Sequence, residues 1–197
     1  MRRRLFVQRS LESSLVIGAG LARASLAAGQ PADRSSDGAD EASELVAFTR
    51  RSFTTAHPIP FGALVVRTTT GEAVGRALNE VRPLLEPTAH AEVQAIRAAC
   101  RQLKRIGLGG CTLYTTAEPC PMCMGAILWA GLDRVVYGAT IADIAKHVAQ
   151  IHVAACELVR HSNNPCEVTG RVERALCNAL FEDPVLTPVY RLWRKRT

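Results

Sequence analysis

Two short segments that carry metal-binding side chains constrain this chain more than any other feature. The first is Pro87–Glu92, with the sequence PTAHAE, and the second is Pro119–Cys123, with the sequence PCPMC. Together they supply one imidazole, one carboxylate and two thiols. Zinc prefers imidazole and thiolate ligands, and a site with three protein ligands leaves its fourth position for water. Any fold of this chain must therefore bring these two distant segments together.

The pattern predicts that His90, Cys120 and Cys123 bind one zinc ion per chain. Cys120 and Cys123 are three positions apart, so they face one side of a predicted helix start, where backbone amide groups favour thiolates. Glu92 lies two residues after His90 and is predicted to carry protons for a water whose pKa zinc lowers to roughly 7. The combination predicts hydrolytic removal of an amino group from a carbon doubly bonded to nitrogen.

Two other interpretations of the cysteine pair stay open at this point. With one histidine, Cys-x-x-Cys is also compatible with a structural zinc clip or with a redox pair. A structural zinc site closes with four ligands, and none of the other histidines has ligand spacing. The other histidines are His57, His147, His152 and His161. The catalytic interpretation is favoured, because the His-x-Glu segment, both prolines and a strand-then-helix context occur together.

Composition places the chain among ordinary globular proteins. Hydrophobic residues make up 48% of the sequence and charged residues 21%, and no apolar run is long enough to span a membrane in the mature form. The formal charge of +6 falls to +2, from 19 basic and 17 acidic residues, when residues 1–27 are set aside. The remainder of the chain is so close to neutral that its charge argues against a nucleic-acid partner.

The number of cysteines limits disulfide bonding. The chain has seven cysteines, an odd number, so they cannot all pair within the chain. Whether Cys156, Cys166 and Cys177 include a disulfide is left open.

Residues 1–28 are predicted to be a twin-arginine signal segment, which implies export to the periplasm. The paired arginines lie in RRLFVQ at 3–8, an apolar run follows at 15–22, and residues 25–27 form a small-x-small cleavage site. The alternative is an N-terminal extension of a cytoplasmic protein, which Glu12 and Arg23 beside the apolar run favour. Residues 29–40 are predicted to be a flexible linker and 41–197 the zinc-dependent domain.

Hydrophobic periodicity predicts alternating strands and helices in the domain. The predicted strands are 61–66, 73–79, 111–116, 134–138 and 166–169. The predicted helices are one around 45–53, one capped by Thr88, one from Pro121 to Gly131, one over 141–161 and one over 171–181. A tail follows the last helix. The alternation predicts an α/β fold, a three-layer α/β/α arrangement around a central five-stranded mixed sheet.

The span from Pro60 to Ala145 resembles the cytidine-deaminase superfamily, and within it the branch of guanine deaminases and tRNA adenosine deaminases. The resemblance rests on PFGA at 60–63, PTAHAEV at 87–93 and LYTTAEPCPMC at 113–123. It implies a cytidine-deaminase-like fold and zinc-dependent deamination by residues 41–197. These motifs are specific to the superfamily and distinguish less well among its substrates.

The resemblance also implies substrate-contacting residues. Asp143 takes the place of an acidic residue that shuttles protons and holds the purine in guanine deaminases, although it could equally cap the following helix. Asn79 matches a substrate-orienting asparagine, with a turn residue as its alternative. Residues 188–194, with Tyr190 and Trp193, are loosely similar to C-termini that close over a neighbouring subunit's pocket, which implies a homodimer.

The function implied is deamination of a free purine base, most simply guanine to xanthine and ammonia. The alternatives are adenosine-to-inosine deamination of tRNA, deamination of another base or nucleoside such as cytosine or guanosine, and a non-catalytic zinc subunit. The presence of Glu92 argues against the last alternative.

Overall fold

The computed structural model describes residues 38–194, which build a five-stranded mixed sheet with helices on both faces. The strands are β1 (Gly62–Arg67), β2 (Ala73–Leu78), β3 (Cys111–Ala117), β4 (Arg134–Ala139) and β5 (Glu167–Gly170). The helices are α1 (Ala39–Arg50), α2 (Val81–Leu84), α3 (Ala91–Leu103), α4 (Pro121–Ala130), α5 (Ile141–Ile144), α6 (Ala155–Arg160), α7 (Arg174–Phe181) and α8 (Thr187–Arg194). The predicted three-layer α/β/α fold is confirmed.

The sheet has the strand order β2-β1-β3-β4-β5. Strand β1 is antiparallel to both β2 and β3, whereas β3, β4 and β5 are parallel to one another. All seven residues of β3 are buried, as predicted for a strand covered on both faces. Parallel strands β3 and β4 therefore end on the same side of the sheet.

Small side chains let helix α3 approach the sheet closely. Ala91, Ala95 and Ala99 recur at four-residue spacing and are fully buried against the face that α4 and α6 also cover. On the opposite face, α1 and α7 bury larger side chains such as Leu45 and Leu180. The position of α3 matters for function, because His90 and Glu92 lie at its start.

Gly75→Ala is expected to destabilise the protein by about 1–3 kcal/mol, the range for overpacking a filled core. A Cβ at Gly75 would overlap the carbonyl oxygen of Ala95 and approach the amide nitrogen of Ala99 at 2.8 Å, and helix backbone cannot give way as a side chain can. Urea unfolding measures the change. Gly125→Ala is the control, because open space surrounds its Cβ and alanine is the better helix former. Equal stability of the two variants would contradict the prediction.

Three predicted elements differ in the structure. The helix over 141–161 is wrong as one element, because α5 and α6 are separated by an irregular segment at 145–154. The tail after Pro184 is a short 3-10 turn followed by α8, and the loop before residue 87 contains α2. All seven cysteines are free thiols, so Cys156, Cys166 and Cys177 form no disulfide in the structure.

The predicted signal segment, residues 1–28, lies outside the described residues, as does most of the predicted linker. Helix α1 begins at Ala39, within two residues of the predicted domain start. Within residues 38–194, no helix combines the length and the apolar character needed to cross a membrane.

Candidate active site

Two helix starts position the predicted metal ligands. Cys120 caps α4 and Pro121 is its first residue, as predicted, and Gly131 ends the helix in the left-handed conformation. The prediction that Thr88 caps α3 is wrong, because His90 is the cap. Thr88 lies in a tight turn just before it, and the Thr88 carbonyl accepts a hydrogen bond from the His90 amide at 2.8 Å. Both cap residues have extended backbone, so the side chains of His90 and Cys120 project from the points where α3 and α4 begin.

The ligand atoms of His90, Cys120 and Cys123 converge. The Nδ1 atom of His90 lies 3.7 Å from the Cys120 sulfur and 3.5 Å from the Cys123 sulfur, and the three atoms lie within 4.8 Å of one another. Tetrahedral zinc, bonded to nitrogen at about 2.0–2.1 Å and to sulfur at about 2.3 Å, holds such atoms about 3.6 Å apart. The three side chains therefore fit one zinc ion.

The charge of the cluster also suits a divalent cation. Hydrogen bonds with Cys123 and His90 lower the pKa of the Cys120 thiol to about 4, against the opposing effect of burial. The pKa of Cys123 is raised, because Cys120 is hydrogen-bonded to it, burial penalises its thiolate and the charge of Glu92 is close. A second thiolate is thus disfavoured until positive charge is supplied, and metal binding to cysteine supplies it.

Glu92 lies beside this cluster and is 6% exposed. It is the second residue of α3 and lines the same cavity as His90 and Cys120. Burial raises the pKa of Glu92 to about 7, partly offset by its backbone hydrogen bond and the charge of His90. A carboxyl group with such a pKa can both accept and donate a proton near neutrality, which suits general acid–base catalysis.

A cavity of about 410 Å³ opens beside the cluster. Its polar lining includes Asn79, His57, Gln150 and Glu118, and its apolar lining includes Phe61, Ile144, Val148, Val189, Leu192 and Trp193. Asn79 and Trp193, both predicted to contact substrate, thus lie at the cavity. The Oδ1 atom of Asn79 accepts the Val81 amide at 3.1 Å, so the turn role is present as well.

Tyr190 does not line the cavity. It is 9% exposed, and its hydroxyl donates to the Phe181 carbonyl at 2.8 Å. Its ring lies 5.8 Å from that of Trp193 and 5.4 Å from that of His147. Tyr190 therefore supports the wall that Trp193 forms, and the structure gives no contact by which it would bind substrate directly.

Helix α8 covers the cavity of its own chain. Val189, Leu192 and Trp193 form part of the lining, and the Trp193 ring lies 6.0 Å from that of Phe61. The resemblance implied closure of a neighbouring subunit's pocket by this segment, and the contact within one chain is a different arrangement. The homodimer stays a prediction.

Asp143 is the acidic member of the capping box at the start of α5, has a charged partner and does not belong to the cavity lining. Its Oδ2 atom accepts from the Thr140 amide at 3.1 Å, and Thr140 in turn caps α5 in a capping box. Arg174 donates two hydrogen bonds to the same carboxylate, at 2.8 and 2.9 Å. These contacts realise the capping alternative. The predicted catalytic role of Asp143 has no geometric support in the cavity.

Asp143→Asn is expected to lower the free energy of unfolding at pH 7 by about 1–3 kcal/mol, the value of hydrogen bonds to a charged group. The Arg174 guanidinium holds the pKa of the Asp143 carboxyl well below its usual range, against burial. The stabilisation is therefore complete above the unfolded pKa of about 3.9 and declines as pH falls from there towards the depressed folded value. Urea unfolding of wild type and Asp143→Asn at pH 7 and pH 3 measures the difference in their free energies of unfolding.

The exposed Asp40→Asn is the control for this comparison. A difference between wild type and Asp143→Asn that grew on acidification would contradict the assignment. Ammonia release by the same variant tests the catalytic role separately.

Sequence reasoning missed several residues of the cavity, including His57, Gln150 and Glu118. His57 and Gln150 carry no motif, so no sequence signal indicated them. Glu118 had one, because it directly precedes Pro119 in the second motif.

Comparison with known proteins agrees with this geometry. The family described as the cytidine and deoxycytidylate deaminase zinc-binding region matches residues 40–139, just over half of the chain. The guanine deaminase of Bacillus subtilis (strain 168) is 48% identical over 87 residues, which cover 44% of this chain and 54% of that protein. The tRNA-specific adenosine deaminase of Aquifex aeolicus (strain VF5) is 44% identical over 81 residues, which cover 41% and 52%. The chain spans about half the length of these curated relatives.

Solved structures from work on a guanine deaminase and on tRNA:A34 deaminases share the fold of this chain. A guanine deaminase from Nitrosomonas europaea superposes with a TM-score of 0.66 at 24% identity, covering 73% of this chain and 82% of that one. A structure from a study of tRNA:A34 deaminases superposes with a TM-score of 0.61 at 28% identity, covering 72% and 99%. The family match spans His90, Cys120 and Cys123, and together with their convergence it confirms the prediction of a zinc-binding domain. The chain belongs to the family of proteins with the cytidine and deoxycytidylate deaminase zinc-binding region.

Proposed function

We propose that the chain is a zinc-dependent hydrolase that removes the exocyclic amino group of a free purine base, with guanine as the preferred substrate. One observation carries the proposal: a buried carboxyl group, Glu92, shares a cavity with His90 and Cys120, two of the three converging metal ligands. His90, Cys120 and Cys123 would hold the zinc ion, which would supply a nucleophilic water molecule by lowering its pKa to about 7.

Glu92 supplies the proton transfers of this reaction. Its carboxylate accepts a proton from water as the oxygen atom adds to C2 of the purine, and the resulting carboxylic acid donates that proton to N3, whose double bond to C2 becomes single. The carboxylate then moves the proton of the new C2 hydroxyl group to the amino nitrogen, so that the bond from C2 to this nitrogen breaks, the C2 carbonyl forms, and ammonia and xanthine leave with no change in redox state. The pKa of Glu92, about 7, suits both transfers at neutral pH.

The walls of the cavity support a small planar substrate. Trp193, Phe61 and Leu192 provide apolar surface against which a base can pack. Asn79 and Gln150 add amide groups that can hydrogen-bond to ring atoms and carbonyl groups. The similarity to a guanine deaminase of Bacillus subtilis supports guanine as the first candidate.

Electrostatics disfavour the tRNA alternative. Among the described residues that line the cavity, Arg82 is the one lysine or arginine. RNA binding needs several cations that contact phosphates, and residues 38–194 contain 16 basic and 15 acidic residues. The similarity to tRNA-specific adenosine deaminases nevertheless makes tRNA the second candidate.

Ammonia release from a substrate panel tests the proposal. The panel contains guanine, guanosine, adenosine, cytosine and a tRNA anticodon stem-loop, each at matched concentration, with Glu92→Gln as the inactive control. We expect kcat/KM to be highest for guanine, by at least about tenfold, as expected when one pocket contact discriminates. Fastest turnover of the stem-loop would replace guanine by tRNA, and zinc-loaded protein without activity on any substrate would favour a non-catalytic subunit.

We also propose that residues 1–28 direct export by the twin-arginine route, on the sequence features of that segment. Mass spectrometry of the mature N-terminus in the native host tests this. A start within a few residues of Ala28 is expected, and an intact Arg2 on most molecules would refute export.

A further inference from the structure

A buried glutamate outside the metal cluster holds two helix starts at once. Glu118 is 8% exposed and lines the cavity. One carboxylate oxygen accepts the Ile141 amide at 3.0 Å, and the other accepts the Ala155 amide at 3.1 Å. Ile141 is the first residue of α5 and Ala155 the first residue of α6. One side chain therefore fixes both ends of a stretch that is separated from it in sequence by more than twenty residues.

The stretch between these two anchors forms a wall of the cavity. Residues 145–154, here termed the wall segment, contribute Val148, Ala149 and Gln150 to the lining. Backbone hydrogen bonds described within it are local, such as Val148 to Ile144 at 3.1 Å and Val153 to Ile151 at 2.9 Å. His147 and Val148 pack against α7 and α8 in the middle of the segment, but local backbone bonds leave the rest of its path dependent on how its ends are held.

The surroundings of Glu118 suit a permanent anchor. Its own amide donates to the Ala139 carbonyl at 2.7 Å, which ties the end of β3 to the end of β4. Burial, with a smaller contribution from the Glu118 charge, raises the pKa of Tyr137 to about 12, so this neighbouring hydroxyl keeps its proton. The first amides of α5 and α6 have no partner within their own helices, so a carboxylate is a natural partner for them.

We propose that Glu118 is a positioning residue that clamps both ends of the wall segment and so fixes the surface that Val148, Ala149 and Gln150 present to the substrate. Glu118 itself performs no proton transfer. The proposal concerns the same cavity as the proposed function, and only its kinetic test depends on that function.

Hydrogen–deuterium exchange on Glu118→Gln tests the clamp. Glutamine offers one acceptor oxygen, and its amino group faces a backbone donor, so one of the two anchors is lost. Exchange of amides in the wall segment and at Ile141 and Ala155 is expected to accelerate at least about tenfold, the effect of losing a hydrogen bond to a charged group. Exchange in β3 and the zinc content are expected to match wild type.

Kinetics on guanine provide the second readout. If Glu118 positions the wall, KM rises by at least about tenfold while kcat falls by less than about threefold, because binding surface is lost and the proton carrier is intact. Should the wild-type protein not turn over guanine, the proposed function fails, and the exchange experiment still decides the role of Glu118.

Two further variants sharpen the result. Glu118→Asp keeps the charge but is one methylene shorter, so it is expected to behave like Glu118→Gln. Glu157→Gln removes a carboxylate from the exposed surface of α6 and should leave exchange and KM unchanged. Rescue by aspartate, uniform acceleration of exchange across the sheet, or a fall in kcat at constant KM would overturn the proposal.

Discussion

Glu92→Gln is expected to lower kcat for ammonia release by about 10²–10⁴-fold while one zinc ion per chain stays bound, the range attributed to a positioned general acid–base group. Glutamine is isosteric with glutamate but cannot exchange protons. The residue is not among the three converging ligands, so its replacement leaves the metal site intact.

Stability gives this experiment a second readout. The burial that raises the pKa of Glu92 disfavours its ionised form, so a neutral amide in the same place should leave the midpoint of thermal unfolding unchanged or higher. Ammonia assays, zinc analysis by mass spectrometry and thermal unfolding together distinguish the possibilities. The exposed Glu72→Gln is the matched control. Loss of zinc from the Glu92 variant would make this carboxylate a structural group rather than a proton carrier.

Cys123→Ala is expected to abolish zinc binding and activity together. Cys123 is fully buried and supplies one of three ligands, and two ligands hold zinc far more weakly than three. In the wild-type protein, zinc binds the folded state and raises its stability by about 2.7 kcal/mol when free zinc is a hundredfold above its Kd. In the variant, the midpoint of thermal unfolding should no longer respond to added zinc or to a chelator.

Cys111→Ala is the matched control for this prediction. Cys111 is also fully buried but lies at the start of β3, outside the ligand cluster. Both substitutions remove one buried sulfur atom and so share a packing cost of about 1 kcal/mol. The Cys111 variant should keep zinc-dependent stability and activity. A zinc response that persisted in Cys123→Ala, or that disappeared in both variants, would contradict the assignment of the ligand.

Local signals predicted helix α4 well. A cap at Cys120, proline at the first position and glycine after the last turn each act within one or two residues, so their effect does not depend on the rest of the fold. The same holds for the hairpin of β1 and β2. Helix α3 was predicted with the wrong cap, because Thr88 has the right side chain but its backbone is held in the turn that precedes His90.

The stretch from 141 to 161 shows the limit of periodicity. Its apolar residues recur at helical spacing, which predicts one helix. In a continuous helix, the Ala155 amide would donate to a carbonyl of the same helix. In the structure it donates to the carboxylate of Glu118, thirty-seven positions away in the sequence. A long-range bond to a buried charge outweighs helical propensity, and no local pattern reports it.

The residues assigned a substrate role by resemblance divide into two pairs. Asn79 and Trp193 line the cavity, whereas Asp143 and Tyr190 do not. Asp143 is held by Arg174, and Tyr190 by the Phe181 carbonyl, through contacts that depend on where α7 and α8 pack.

The sequence by itself predicted the metal, its three ligands and the proposed proton carrier, because zinc chemistry requires particular side chains and the motifs place them at helix starts. Only the tertiary structure decided the shape of the cavity, the closure by α8 and the anchoring of its wall by Glu118. Those features arise from contacts among elements far apart in the chain, whose geometry is set by the packing of the whole sheet and its helices.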